Sequence, residues 1–104
     1  MMINKALSLI GLASKARKVS SGEFSVEKAV KSQNAYLVII AEDASDNTRQ
    51  KFTDMCSFYE TPIIYYSTKD SLGRCIGKEY RASLAILDEN FAKGIMDRIN
   101  SSCE

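Results

Sequence analysis

The sequence predicts an α/β protein, a three-layer α-β-α sandwich around a central mixed four-stranded sheet. Three observations lead there. Stretches with apolar residues three and four apart alternate with short, uninterrupted runs of branched and aromatic residues, such as Leu37-Val38-Ile39-Ile40 and Ile63-Ile64-Tyr65-Tyr66. Clusters of helix-capping residues follow the apolar runs: Ser45-Asp46-Asn47-Thr48, Ser67-Thr68-Lys69-Asp70 and Asp88-Glu89-Asn90. The chain has 104 residues, 45% of them apolar and 26% charged, which suits one globular domain over 1–104 with a single core.

Taken in order, a first helix is expected over 3–16. Ile3, Ala6, Leu7, Ile10, Leu12 and Ala13 are spaced as an amphipathic stripe, and Met2 is a further candidate for burial. Arg17 and Lys18 follow, where cations favour the negative end of the helix dipole. Residues 19–21 read as a short edge strand. A second helix is expected over 23–32, with Val26, Ala29 and Val30 on its inner face and Ser21 or Gly22 at its cap. The run 36–41 reads as a first central strand, apolar on both faces. A third helix over 46–59 turns Phe52, Met55 and Cys56 inward and stops before Pro62, because a residue preceding proline avoids helical dihedrals. The segment 63–66 reads as a second central strand. A short helix carries Leu72, Cys75 and Ile76 and ends at Gly77. A polar loop over 78–81 leads into a third central strand, 82–87. A last helix runs to about 98 or 99, and 101–104 read as a frayed end.

The composition excludes several classes of function. Histidine is absent, and Cys56, Cys75 and Cys103 are far apart with no Cys-x-x-Cys spacing, so neither a zinc site nor a disulfide framework is expected. The expected home is a reducing cytoplasm. No apolar run approaches the roughly 20 residues of a membrane span, and Lys5 and Ser8 interrupt the apolar N-terminal stretch, so neither a membrane association nor a signal peptide is expected. The net charge is only +1, but it is unevenly placed. Residues 1–37 hold Lys5, Lys15, Arg17, Lys18, Lys28 and Lys31 against Glu23 and Glu27, leaving the remainder acidic. Such asymmetry points towards a polyanion face at the basic end, or simply to a solvated surface.

Signatures of catalysis are missing. No base stands ready to activate a serine or cysteine, and neither a P-loop nor Gly-x-Gly-x-x-Gly occurs. Gly73 and Gly77 bracket one helical turn and read as a packing contact and a helix stop. Glu42-Asp43, where a strand surfaces, reads as a solvated or backbone-bonded pair in preference to a catalytic one. Cys75 reads as core. No enzyme, cofactor or metal is expected.

Recognition remains. Gly22 lets a partner approach the start of the second helix, whose first amides favour an anion such as phosphate. Lys28 could neutralise a second phosphate or be a solvated lysine. In loop 78–81, Tyr80 sits between Lys78, Glu79 and Arg81, a mixture that suits unstacked RNA bases and their phosphates; the alternative is that Tyr80 packs on the sheet edge.

The sequence LSLIGLASKARKVSSGE, then VEKAV, LVIIAEDAS, NTRQKFTDMC, TPIIYYSTKDSLGRCIGKEYRASLAI and DENFAKGI resembles the kink-turn RNA-binding ribosomal protein family of the large-subunit "L-seven-Ae" type, and most closely its bacterial YlxQ-like branch. The resemblance covers nearly all of 3–96. It implies an α-β-α sandwich that binds structured RNA, such as ribosomal or other kinked or bulged RNA, as a non-catalytic monomer, alone or beside ribosomal or other translation proteins. Family members open the second helix with Gly-x-Asn-Glu and follow it with a lysine; the glycine matches Gly22 and the lysine Lys28. The Asn-Glu pair, which reads sheared G·A pairs, falls on Phe24 and Ser25. Phenylalanine makes none of asparagine's hydrogen bonds, and serine lacks the reach and charge of glutamate. The resemblance therefore implies an RNA site of Gly22, Glu23, Phe24, Ser25, Lys28, Lys31, Lys78, Glu79, Tyr80 and Arg81 that relies on phosphate contacts and stacking. A protein-interaction module on the same scaffold, anchored by Phe24, is the alternative.

Overall fold

The computed structural model describes residues 4–101. Nine elements follow one another: α1 (Lys5–Lys15), β1 (Val19–Ser21), α2 (Glu23–Lys31), β2 (Leu37–Ile40), α3 (Asp46–Tyr59), β3 (Ile63–Tyr65), α4 (Lys69–Cys75), β4 (Ser83–Ile86) and α5 (Glu89–Ser101). The strands lie in the order β1-β4-β2-β3. β4 runs antiparallel to both β1 and β2, while β2 and β3 are parallel, so the sheet is mixed. α1 packs against α4 and α5 on one side of the sheet; α2 packs against α3 on the other. This is the expected three-layer sandwich.

Burial explains which strands are central. Every residue of β2 and β4 is buried, as expected of apolar runs covered by helices on both faces. β3 corrects the sequence reading. Its run is just as apolar, yet it lies at an edge, with Ile63 and Ile64 half-buried and Tyr65 exposed. The Arg49 guanidinium covers the Tyr65 ring at 5.3 Å, which shields this edge aromatic. Leu12 is a second correction: it is 57% exposed, while Ala6, Ile10 and Ala13 supply the buried face of α1. Cys75 is half-buried, at the margin of the core. Met2, Ile3, Cys103 and the expected frayed end beyond 101 lie outside the described residues. Phe52, Ile10, Ile39, Leu84 and Ile95 are among the largest fully buried side chains, so one continuous core joins both helical layers to the sheet.

Side chains close most helix starts. Asn4 Oδ1 accepts from the Leu7 N–H (2.9 Å), Ser45 Oγ from Thr48 (3.2 Å), Thr68 Oγ1 from Ser71 (3.1 Å) and Asp88 Oδ2 from Phe91 (3.0 Å). Each satisfies an amide that has no partner within its own helix. α2 is the exception.

Candidate functional site

α2 begins at Gly22, which has φ 93° and ψ 155° and no side chain with which to cap. A Cβ there would meet nothing within 4 Å, so conformation rather than space calls for glycine. The Gly22 N–H donates to the Ser83 carbonyl (3.1 Å), fastening the start of α2 to the start of β4; the Gly22 carbonyl accepts from Val26. Among the described residues, the amides of Glu23, Phe24 and Ser25 donate to no protein acceptor. Three outward N–H groups at the positive end of a helix dipole form a ready anion site.

The side chains around this turn divide by charge. Lys51 of α3 donates to Glu23 (2.7 Å) and sits 3.0 Å from Glu27, while Lys31 pairs with Glu27 at 2.8 Å. The chain Glu23-Lys51-Glu27-Lys31 thus balances itself. Hydrogen bonds from Lys31 and then Lys51 hold the Glu27 carboxyl below its ordinary value; the bond to Glu27 holds the Lys31 ammonium above its own, and bonds to Glu23 and then Glu27 do the same for Lys51. Lys28 is exposed and, among the described residues, has no ion pair, so it is the uncompensated charge on this face. Phe24 is 86% exposed and Ser25 is exposed beside it. Phe24, Glu27, Lys28, Lys31 and Ser32 line a shallow groove of about 450 Å³ along the outer face of α2.

Loop 78–81 is held against α4 by its backbone. The Lys78 N–H donates to the Gly73 carbonyl (2.8 Å), and the Arg81 N–H donates to the Lys69 carbonyl (3.0 Å). This fit depends on Gly73, which is buried: a Cβ there would stand 2.5 Å from Tyr80 Cα and 2.7 Å from the Glu79 carbonyl carbon. Gly77, at φ 76°, turns the chain out of α4. The pair is indeed a packing contact and a helix stop. Tyr80 is 60% exposed rather than packed on the sheet edge, with the Lys69 ammonium 5.7 Å from its ring centre. Lys78 and Glu79 are exposed.

Arg81 brings the two regions together. Its Nε donates to Ser21 Oγ (3.3 Å), next to Gly22, and its Nη1 donates to the Tyr80 carbonyl (2.8 Å). The start of α2 and loop 78–81 are therefore one surface, although some 60 residues separate them in sequence. Asp43 Oδ1 accepts from the Lys69 N–H (2.8 Å), so the second acid of the Glu42-Asp43 pair orders the start of α4 beneath the loop. Sequence reasoning missed Ser21, Lys51, Lys69 and Ser83 as supports of the surface. Nothing local marks them, because each acts through a partner distant in the chain. Ser83, whose carbonyl accepts from Gly22, also holds a buried hydroxyl with no hydrogen-bond partner among the described residues. Among the described residues, no group of three or more Cys, Asp or Glu side chains is placed to hold a metal ion, and no helix is long and apolar enough to cross a membrane.

Residues 4–96 match the model of the ribosomal protein L7Ae/L30e/S12e/Gadd45 family. The chain belongs to this family. Within it, the chain is 44% identical over 92 residues to the RNA-binding protein YlxQ of Bacillus subtilis, covering 88% of this chain and 92% of that protein. It is 38% identical over 89 residues to the RNA-binding protein YlxQ of Enterococcus faecium, covering 86% and 85%. A solved structure from Bacillus halodurans, described as a protein of unknown function, superposes with a TM-score of 0.90 at 37% identity, covering 94% of this chain and 99% of that one. The Giardia lamblia 15.5kD RNA binding protein superposes at 0.76 with 21% identity, covering 91% and 82%, which shows a shared fold. The L7Ae-type resemblance read from the sequence therefore holds, including its YlxQ-like branch.

Proposed function

We propose that this member of the L7Ae/L30e/S12e/Gadd45 family is a non-catalytic RNA-binding protein that engages a kinked or bulged RNA with the start of α2 and loop 78–81. The observation that carries the reading is the uncapped first turn of α2, joined through Arg81 and Ser21 to the exposed Tyr80. Relatives that match most of the chain and are named RNA-binding proteins support it.

The mechanism follows from the geometry. The free amides of Glu23, Phe24 and Ser25 receive a phosphate where the backbone bends sharply. Lys28, one turn further on, neutralises the next phosphate. Tyr80 and Phe24, both exposed, offer π-faces for bases that a kink or bulge has unstacked. With Phe24 and Ser25 where other members carry Asn-Glu, recognition rests on the bend and the extruded base rather than on hydrogen bonds to a G·A edge. Binding within the translation machinery, with ribosomal RNA as the target, belongs to the same reading. Co-sedimentation of the protein with ribosomal particles, lost on ribonuclease treatment, is its expected signature.

The test is a gel-shift comparison of a kink-turn RNA and an unbulged duplex of equal length at two salt concentrations. Tighter kink-turn binding that survives the higher salt is expected. Equal, salt-sensitive binding to both would reduce the surface to a general phosphate binder, and no binding to either would overturn the reading. Phe24 also favours a second reading, since an 86% exposed phenylalanine lining the α2 groove offers an aromatic anchor to a protein partner. If the function is protein docking, Phe24→Asp abolishes capture of a protein partner while RNA affinity stays unchanged.

A further inference from the structure

The proposed RNA site does not use the three cations at the end of α1. Lys15, Arg17 and Lys18 fall within four residues, all exposed, and among the described residues none has an ion pair. Nearby acids do not offset them. The Lys18 carbonyl accepts from the Leu87 N–H at 2.7 Å, which brings the start of α5 close, but Asp88 there is engaged in capping Phe91 and Glu89 faces Lys93 at 3.8 Å. Other described cations also lack ion pairs, Lys28 among them, but Lys15, Arg17 and Lys18 are set apart by standing together within four residues of one turn.

The backbone fixes where these charges stand. The Arg17 N–H donates to the Ser14 carbonyl (2.9 Å) and the Lys18 N–H to the Ala13 carbonyl (2.8 Å), a pattern that places Arg17 in the left-handed region at φ 63°. Glycine is the residue best suited to that position. Gln33 and Glu60 also adopt left-handed dihedrals at helix ends, so the conformation alone is no sign of function. Its consequence is geometric: the turn, held by these two backbone hydrogen bonds, places exposed Arg17 and Lys18 at the head of β1. β1 is an edge strand, and it leads from Lys18 to Gly22 over about 13 Å at the usual rise per residue. One solvent-facing edge thus connects the three cations to the uncapped start of α2.

We propose that Lys15, Arg17 and Lys18 form a second phosphate-binding surface, which follows the RNA backbone away from the α2 site along the β1 edge and holds a helical arm flanking the kink. This rests on the RNA reading of the α2 site. The arm contact is sequence-independent and salt-sensitive, because exposed lysines and arginines bind phosphates by displacing counterions. It lengthens the footprint without adding base recognition.

The test compares wild-type protein with Arg17→Gly and with a Lys15→Ala/Lys18→Ala double variant, on a kink-turn RNA with short arms and on one with a lengthened arm. Arg17→Gly suits its backbone position, so it retains or raises the thermal midpoint, and a loss of affinity in it is not a loss of folding. Wild-type protein is expected to bind the long-armed RNA more tightly and with a steeper salt dependence. Each cation removed should flatten the log K against log salt slope by roughly one unit on that RNA, and by much less on the short-armed one. Wild-type affinity and slope in both variants on the long-armed RNA would overturn this inference alone. If wild-type protein bound neither RNA, the α2 reading would fall and this one with it.

Discussion

Gly73→Ala probes the junction on which the loop half of the site depends. The added methyl would lie 2.5 Å from Tyr80 Cα and 2.7 Å from the Glu79 carbonyl carbon, and both are backbone atoms that cannot rotate away. Overpacking of this kind costs typically ~1–3 kcal/mol, and contacts with backbone place it near ~3. Replacing glycine by alanine within a helix returns ~1 kcal/mol of propensity. The net destabilisation is therefore ~2 kcal/mol, which corresponds to a fall of about 10 °C in thermal midpoint for a domain of this size. Gly94→Ala is the matched control. Its Cβ would meet Leu9 Cδ2 at 2.9 Å and Arg98 Nη1 at 3.5 Å, both far ends of side chains rather than backbone, so it should destabilise far less than Gly73→Ala. Unfolding curves and hydrogen exchange read the two together. In Gly73→Ala the Lys78 and Arg81 amides, bonded to the Gly73 and Lys69 carbonyls, should exchange faster, and RNA affinity should drop as Tyr80 moves. A Gly73→Ala protein as stable as wild type, with those amides still protected, would refute the reasoning.

Glu27→Gln should change both pH dependence and RNA binding. Lys31 and Lys51 hold the folded-state Glu27 carboxyl below its value of 4.5 in the unfolded chain. Its stabilising contribution is thus complete above about pH 4.5 and disappears as the pH falls through the lower, folded value. The stability difference between wild type and variant should shrink over that acidic window; a constant difference between pH 2 and 7 would contradict the assignment. At neutral pH the variant frees Lys31, while Lys51 keeps its bond to Glu23, so low-salt RNA affinity should rise, as a gel shift would detect. For the cysteines, burial pushes the Cys56 and Cys75 thiols up to about 11. In a Cys103→Ser background, both should react with a disulfide reagent at pH 8 far more slowly than a free thiol, since only about a thousandth is thiolate. Reaction at the free-thiol rate in folded protein would contradict their burial.

The order of the nine elements was legible in the sequence because each carries its own periodicity, and the observed strands are only trimmed at their ends. Strand position was less legible. Ile63-Ile64-Tyr65 is as apolar as Leu37–Ile40, yet one run lies at an edge and the other at the centre. Sheet order is a tertiary property, and Arg49 over Tyr65 replaces the covering strand. Leu12 shows the same limit in a helix: its spacing fits the stripe, but the face of α1 packed on α4 and α5 turns it to solvent. The sequence singled out Gly22, Lys28 and Tyr80 one by one as candidates. Their assembly was not legible, because it depends on Arg81 reaching Ser21 and on Lys51 bridging Glu23 and Glu27, contacts with no local signature.

The central claim is that the uncapped start of α2 and loop 78–81 together receive RNA. Titrating isotope-labelled protein with a kink-turn RNA while following its amide resonances tests this most directly. The account predicts that the amides of Glu23, Phe24 and Ser25, free of protein acceptors before binding, shift furthest downfield, and that residues 78–81 move with them. Shifts confined to other surfaces, such as the exposed Phe58 on α3, with the first turn of α2 unmoved, would contradict it.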